Sequence, residues 1–208
     1  MSKANSILSL LAATYPDAHC ELNFSTPFEL LIATMLSAQA TDKKVNQVTE
    51  KLFRNYKTPE SFLTLSLKKM EEAIKELGLY RNKAKNILAT CQILIEKYNG
   101  EVPDSMEALT QLPGVGRKTA NVVLSNAYNI PAFAVDTHVL RVSNRLGLAS
   151  GTNPDLIEKQ LMNSIPRSQW IQAHHWLIWH GRRICAARNP KCSECPLSPL
   201  CPSTLLPA

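Results

Sequence analysis

The chain has 208 residues, 45% hydrophobic and 19% charged, with a formal net charge of +6. That is a globular composition, long enough for one large domain or two small ones, and its basic excess favours an anionic partner. No stretch approaches the roughly 18 apolar residues of a membrane span. Four of the six cysteines crowd the C-terminal end of the chain, which argues against a secreted disulfide framework and for metal in a reducing compartment.

The chain reads as helix after helix. Met1-Ser-Lys3 followed by Ile7 to Ala13 loosely mimics a signal peptide, but the basic region is one lysine and no clean cleavage site follows. An amphipathic first helix is expected there, in a cytoplasmic protein. Thr26-Pro27-Phe28-Glu29 has the pattern of a capping box with proline at the first helical position, and Leu30, Leu31, Thr34, Met35 and Ala38 follow at helical spacing. Helices are predicted over 41–54, from Thr58-Pro59, and over 66–77, the last with Leu67, Met70, Ile74 and Leu77 inward and Gly78 as its stop. The span 81–98 places Ala84, Ile87, Leu88, Cys91 and Ile95 on one face, and Asp104-x-x-Glu107 suggests another capping box. Further helices are expected at about 117–129, 137–146, 155–163 and 167–183, with 147–154 as the most linker-like stretch. No convincing strand pair interrupts the series, so the fold class is all-α. Cys20 and Cys91 stand alone and read as buried thiols.

Cys185, Cys192, Cys195 and Cys201 follow the spacing C-x6-C-x2-C-x5-C, with proline after two of them. A structural zinc site usually brings two separated C-x2-C knuckles, whereas a cubane [4Fe–4S] cluster needs one thiolate at each of four corners. One short knuckle with unequal arms favours the [4Fe–4S] cluster. Zinc, and then disulfides, are the alternatives that spacing leaves open. The basic loop between the first two cysteines is pinned at both ends, which suits presentation of Arg188 and Lys191 to phosphates, against the plainer reading of two solvated charges.

Leu112-Pro113-Gly114-Val115-Gly116 joins two predicted helices, and the second begins near Arg117. Glycine permits positive φ and, lacking Cβ, lets a phosphate approach the backbone. Free N–H groups and the positive end of the helix dipole then face the same spot. This is a helix-hairpin-helix arrangement, which holds DNA without reading its sequence. Lys118 stands in the first turn beside Arg117, and a free amine is a nucleophile. Asp136, in Val135-Asp136-Thr137-His138, has the plain role of helix N-cap. On residue type alone, Lys118 and Asp136 are both more readily structural than catalytic.

These segments, together with Leu36-Ser-Ala-Gln-Ala-Thr-Asp42, Gly78-Leu-Tyr80, Asn99-Gly-Glu-Val-Pro103 and His175-Trp-Leu-Ile-Trp-His-Gly181, resemble the endonuclease III family of helix-hairpin-helix DNA glycosylases over essentially the whole chain. The resemblance implies two all-α domains flanking a DNA-binding cleft. One is a six-helix barrel at 21–130, with the hairpin at about 104–124. The other is a discontinuous iron–sulfur domain at 1–20 and 131–208, with its cluster loop at 185–201. It implies removal of oxidised pyrimidines from duplex DNA, then cleavage 3′ to the abasic site through a lysine Schiff base. By the same resemblance Lys118 is the nucleophile and Asp136 its partner. Gln39 fills the gap left by a flipped nucleotide, and Leu79 is an apolar wedge; their plain readings are a loop amide and a core residue. Gly114, Val115, Gly116 and Arg117 hold the backbone. His138, His174, His175 and His180 are read as packing or hydrogen-bonding residues. A monomer associated with the nucleoid is expected. The alternatives are a monofunctional adenine glycosylase, which lacks the lysine and carries a further C-terminal domain, and a noncatalytic hairpin module.

Overall fold

The structure is a computed structural model and describes residues 3–204. Eleven α-helices and three 3₁₀ turns account for its regular structure, and no strand occurs among the described residues. The helices are α1 (Lys3–Thr14), α2 (Pro27–Leu36), α3 (Asp42–Asn55), α4 (Pro59–Leu63), α5 (Leu67–Ile74), α6 (Tyr80–Tyr98), α7 (Met106–Thr110), α8 (Arg117–Ala127), α9 (Thr137–Leu146), α10 (Pro154–Ser164) and α11 (Trp170–Arg183). None of them is long and apolar enough to cross a membrane.

The chain divides into two compact units. One is Cys20–Ile130; the other takes the residues up to His19 together with those from Pro131 onward. In the Cys20–Ile130 unit, α2 packs on α3, α6 and α8, and α6 also carries α4 and α5. Its helix α2 is buried on every side from Phe28 to Leu36, as expected of a central helix. In the other unit, α1 and α9 pack on α11, and Ile7, Leu8 and Leu11 share a core with Phe133, Val139 and Leu177.

Capping residues explain most of the boundaries. Thr26 accepts from the Glu29 N–H (3.1 Å), with Pro27 at the first helical position. The reciprocal half of that box is shifted by one residue, because the Glu29 carboxylate accepts from the Ser25 N–H (2.6 Å). Thr41, Thr58 and Ser66 cap α3, α4 and α5 in the same way.

Several expectations are corrected. The cap of α7 is Ser105, whose hydroxyl accepts from the Ala108 N–H, so the predicted start at Asp104 lies one residue early. Helix α5 ends at Ile74 and gives way to a tight turn, Leu77 N–H to Ile74 O, so Gly78 stops a turn rather than a helix. Leu67 is 46% exposed, and on α6 the fully buried position is Leu94 rather than Ile95. Ala38 lies beyond α2 and is exposed, and Cys20 is only half-buried.

The stretch 147–154 is no linker. Gly147 closes α9 in the left-handed region (φ 69°), and Leu148 and Ala149 enter the core. The Asn144 amide bonds Gly151 through both its donor and its acceptor (3.0 Å each). Gln160 does the same to Ser150 (2.8 and 3.0 Å).

Candidate functional site

The hairpin uses its two glycines differently. Gly114 has φ +77°, and a Cβ there would lie 2.8–3.2 Å from the Asn86 side chain of α6. It is therefore required both by backbone conformation and by close packing. Gly116 has φ −90°, and an added Cβ would meet nothing within 4 Å. Its hydrogen leaves a bare, exposed backbone surface at the start of α8. No side chain caps α8, so the first-turn N–H groups keep no intrahelical partner. The loop is held from below: the Thr90 hydroxyl donates to the Pro113 carbonyl (3.0 Å), and the Val115 side chain is buried at 5% exposure. Of Val115, only the backbone is available to a ligand. Arg117 and Lys118 are both exposed on the first turn beside this surface.

Asp136 is the N-cap of α9, as its position suggested. Its Oδ1 accepts from the Val139 N–H (2.7 Å), and the side chain is partly exposed. The strand-like approach Ala132–Val135 is buried, so the carboxylate emerges from a fixed backbone.

Gln39 and Leu79 share an unusual backbone state. Both are non-glycine residues at positive φ, 54° and 60°, and both are exposed, Leu79 at 53%. Leu79 is thus no core residue. An exposed leucine held in the left-handed region is a strained arrangement of the kind that clusters at functional sites.

The four C-terminal cysteines are half-buried and free of disulfides. From Cys192 the chain advances in three-residue turns: Cys195 N–H to Cys192 O, Ser198 N–H to Cys195 O, and Cys201 N–H to Ser198 O (3.1–3.3 Å). Cys195 and Cys201 each leave a short 3₁₀ turn in extended conformation, and both come to the same cavity as Cys192. With Cys185 they line a cavity of about 260 Å³, together with Arg145, His180, Lys191 and Thr204. The Thr204 hydroxyl is buried there without a hydrogen-bond partner. Among the described residues no three His, Cys, Asp or Glu groups converge on a point that would hold a single ion. A cavity lined by four thiols, with an unspent hydroxyl donor and cationic walls, has the size and the donors for a polynuclear anionic group. Burial pushes the Cys195 thiol up.

Two arginines that sequence reading passed over hold this loop. The Arg145 guanidinium donates to Cys185 Sγ (3.3 Å) and to the carbonyls of Ala186 (2.8 Å) and Ala187 (3.1 Å). Arg141, one turn earlier on α9, bonds the Cys185 and Gly181 carbonyls. No sequence signal marks either arginine, since both serve backbone carbonyls some forty residues away. The loop they pin leaves Arg188 exposed, while Lys191 faces Glu194 at 3.8 Å. The histidines pack and hydrogen-bond: His174 to the Ala134 carbonyl (2.8 Å), His138 to Arg141 (3.2 Å), and His180 between the Tyr15 hydroxyl (3.0 Å) and Cys195 Sγ (3.6 Å). His175 is buried against the His174 ring.

An all-helical fold with a glycine hairpin, an exposed lysine behind it and a four-thiol loop defines a helix-hairpin-helix repair protein. Residues 32–167 match the HhH-GPD superfamily of base excision DNA repair proteins. Endonuclease III of Bacillus subtilis is 52% identical over 93% of this chain and 89% of its own length. Endonuclease III of Escherichia coli K12 is 50% identical over 97% and 96%. A solved non-covalent endonuclease III–DNA complex superimposes with a TM-score of 0.93 at 50% identity, covering 98% of this chain and 97% of that one. The chain belongs to the endonuclease III family.

Proposed function

We propose that Lys118 is the nucleophile and Asp136 its partner in a base-excision-repair enzyme. The chain is a DNA glycosylase with AP-lyase activity, acting on oxidised pyrimidines and abasic sites in duplex DNA. The observation that carries this reading is Lys118 itself: an exposed primary amine in the first turn of α8, directly behind the bare glycine edge that suits a phosphate.

In this reading the damaged nucleotide leaves the stack, at least cost where pairing is already weak. Lys118 Nζ attacks C1′, and the C1′–N bond breaks, its electron pair leaving with the base. The sugar ring opens to an imine on Lys118. Loss of a C2′ proton then expels the 3′ phosphate, and water hydrolyses the imine to restore the amine. Asp136 takes a proton from the attacking amine and offsets positive charge developing on the sugar. Gln39 occupies the vacated space in the duplex and Leu79 wedges the opposite face, while Gly114, Val115, Gly116 and Arg117 hold the phosphates. Cys20–Ile130 supplies the hairpin domain and the remainder the cluster domain, in the cytoplasm with the nucleoid.

Cys185, Cys192, Cys195 and Cys201 hold a [4Fe–4S] cluster. When bound, the cluster anchors the loop that offers Arg188 and Lys191 to phosphates; amine attack and β-elimination route through neither iron nor sulfide.

Borohydride trapping on a thymine-glycol duplex tests the assignment. The wild type is expected to give a covalent protein–DNA band, and Lys118→Gln is expected to bind the duplex and give none. Base excision by the wild type without a band would replace this reading with a monofunctional glycosylase.

A further inference from the structure

One side chain ties together the two turns that carry Gln39 and Leu79. The Gln39 turn directly follows α2 and closes with the Ala40 N–H on the Ser37 carbonyl (3.0 Å). The Leu79 turn directly precedes α6, and the two abut, since a Cβ on Gly78 would touch the Gln39 carbonyl at 4.0 Å. Lys83 lies in the first turn of α6. Its backbone N–H donates to the Leu79 carbonyl (3.1 Å), and its ammonium donates to the Leu36 carbonyl (2.8 Å), the last of α2.

Packing does not explain a lysine there. Lys83 is only 6% exposed, and burial holds its amine below the usual lysine range. A buried ammonium is costly where a methionine would fill the same space. In the first turn of α6 the cation opposes that helix's dipole. At the C-terminal carbonyls of α2 the same charge is favourable. Lys83 thus works against its own helix and for the neighbouring one, at the point where two turns at positive φ meet.

We infer that Lys83 is a positioning residue for nucleotide extrusion, locking the Gln39 and Leu79 turns in one register so that both enter the duplex together. The inference rests on the wedge roles proposed above. Without the Lys83–Leu36 bond, the Gln39 turn is free to relax toward negative φ and the two side chains lose their alignment.

The test compares wild type, Lys83→Met, Gln39→Ala, Leu79→Ala and the Lys83→Met/Gln39→Ala double variant. Borohydride trapping rates are measured on an abasic duplex, where extrusion is needed, and on an abasic single strand, where it is not. Fluorescence of 2-aminopurine beside the lesion reads extrusion directly. Lys83→Met is expected to lower the duplex-to-single-strand ratio at least about 10-fold, the scale on which small misplacements act. The double variant is expected to fall no more than about twofold below the lower single one, since residues acting through each other are not additive. A wild-type ratio in Lys83→Met, or losses that multiply in the double variant, overturns the inference. Should Lys83→Met not fold, Lys83→Gln, too short to reach Leu36, carries the same expectation. Wild-type ratios in both Gln39→Ala and Leu79→Ala would sink the wedge reading and this inference with it. An absence of trapping by the wild type on either substrate would instead remove the lyase assignment.

Discussion

Arg141 donates from both Nε (3.1 Å) and Nη2 (3.0 Å) to the carbonyl of Cys185, across 44 residues of sequence. The arginine belongs to α9, the helix that Asp136 caps, and the cysteine opens the four-cysteine loop, so one planar fork joins the two. Lysine has no such fork. Arg141→Lys should therefore keep the charge yet lose most of the coupling. With hydrogen bonds to charged groups worth about 1.5–3 kcal/mol each, a loss of about 3 kcal/mol would lower the melting temperature by roughly 6–12 °C. Faster bleaching of the bound cluster under a chelator is expected alongside. A variant that melts and bleaches like the wild type would show that Arg141 is dispensable.

The two hairpin glycines should separate stability from binding. Gly114→Ala meets both a positive φ and the Asn86 side chain, so a destabilisation of about 1–3 kcal/mol is expected by thermal melting. Gly116→Ala meets neither and should melt within about 0.5 kcal/mol of the wild type. It should nevertheless bind duplex DNA more weakly, because the new methyl stands where a phosphate approaches. Equal melting losses in both variants would contradict this division.

Arg188 and Lys191 are not equivalent. Exposed Arg188 should account for about one phosphate contact, so Arg188→Ala is expected to reduce the slope of log affinity against log salt by about 0.9. Lys191 already faces Glu194, and Lys191→Ala should change the slope less. The measurement is a salt titration of duplex binding by each variant.

His175 gives the fold an acid limit. Burial first, then the neighbouring His174 and His19, holds it down to about 3, against an ordinary value near 6.5. Between those values the unfolded chain binds a proton that the folded chain refuses, so stability is present above pH 6.5 and is lost as pH falls toward 3. The expected slope is about 1.4 kcal/mol per pH unit from this residue. Denaturation at a series of pH values, wild type beside His175→Gln, checks it: the variant should lose about one proton's worth of slope.

Much of this was legible in sequence because it is local. A threonine two or three residues ahead of an apolar run marks a helix start, and the thiolate and glycine spacings are short-range chemistry. Ser105 was missed because the neighbouring Asp104 satisfies the same pattern, and only backbone geometry decides between them. The stretch 147–154 looked like a linker because its stabilising bonds come from the amides of Asn144 and Gln160, on flanking helices. Arg141, Arg145 and Lys83 were illegible for a related reason: each serves a distant backbone carbonyl, and a carbonyl has no sequence signature.

The discontinuous unit also fixes an order of events during synthesis. Ile7, Leu8 and Leu11 of α1, with Tyr15 and Ala18 just after it, belong to a core whose remaining members begin at Phe133. At about 5–20 residues per second, this first helix waits on the order of ten seconds for its partners. In that interval Cys20–Ile130 is complete and free to fold, while the apolar stripe of α1 stays uncovered. A ribosome that stalls near Ile130 therefore releases a chain that is half folded and adhesive at its N-terminus, a ready substrate for chaperones.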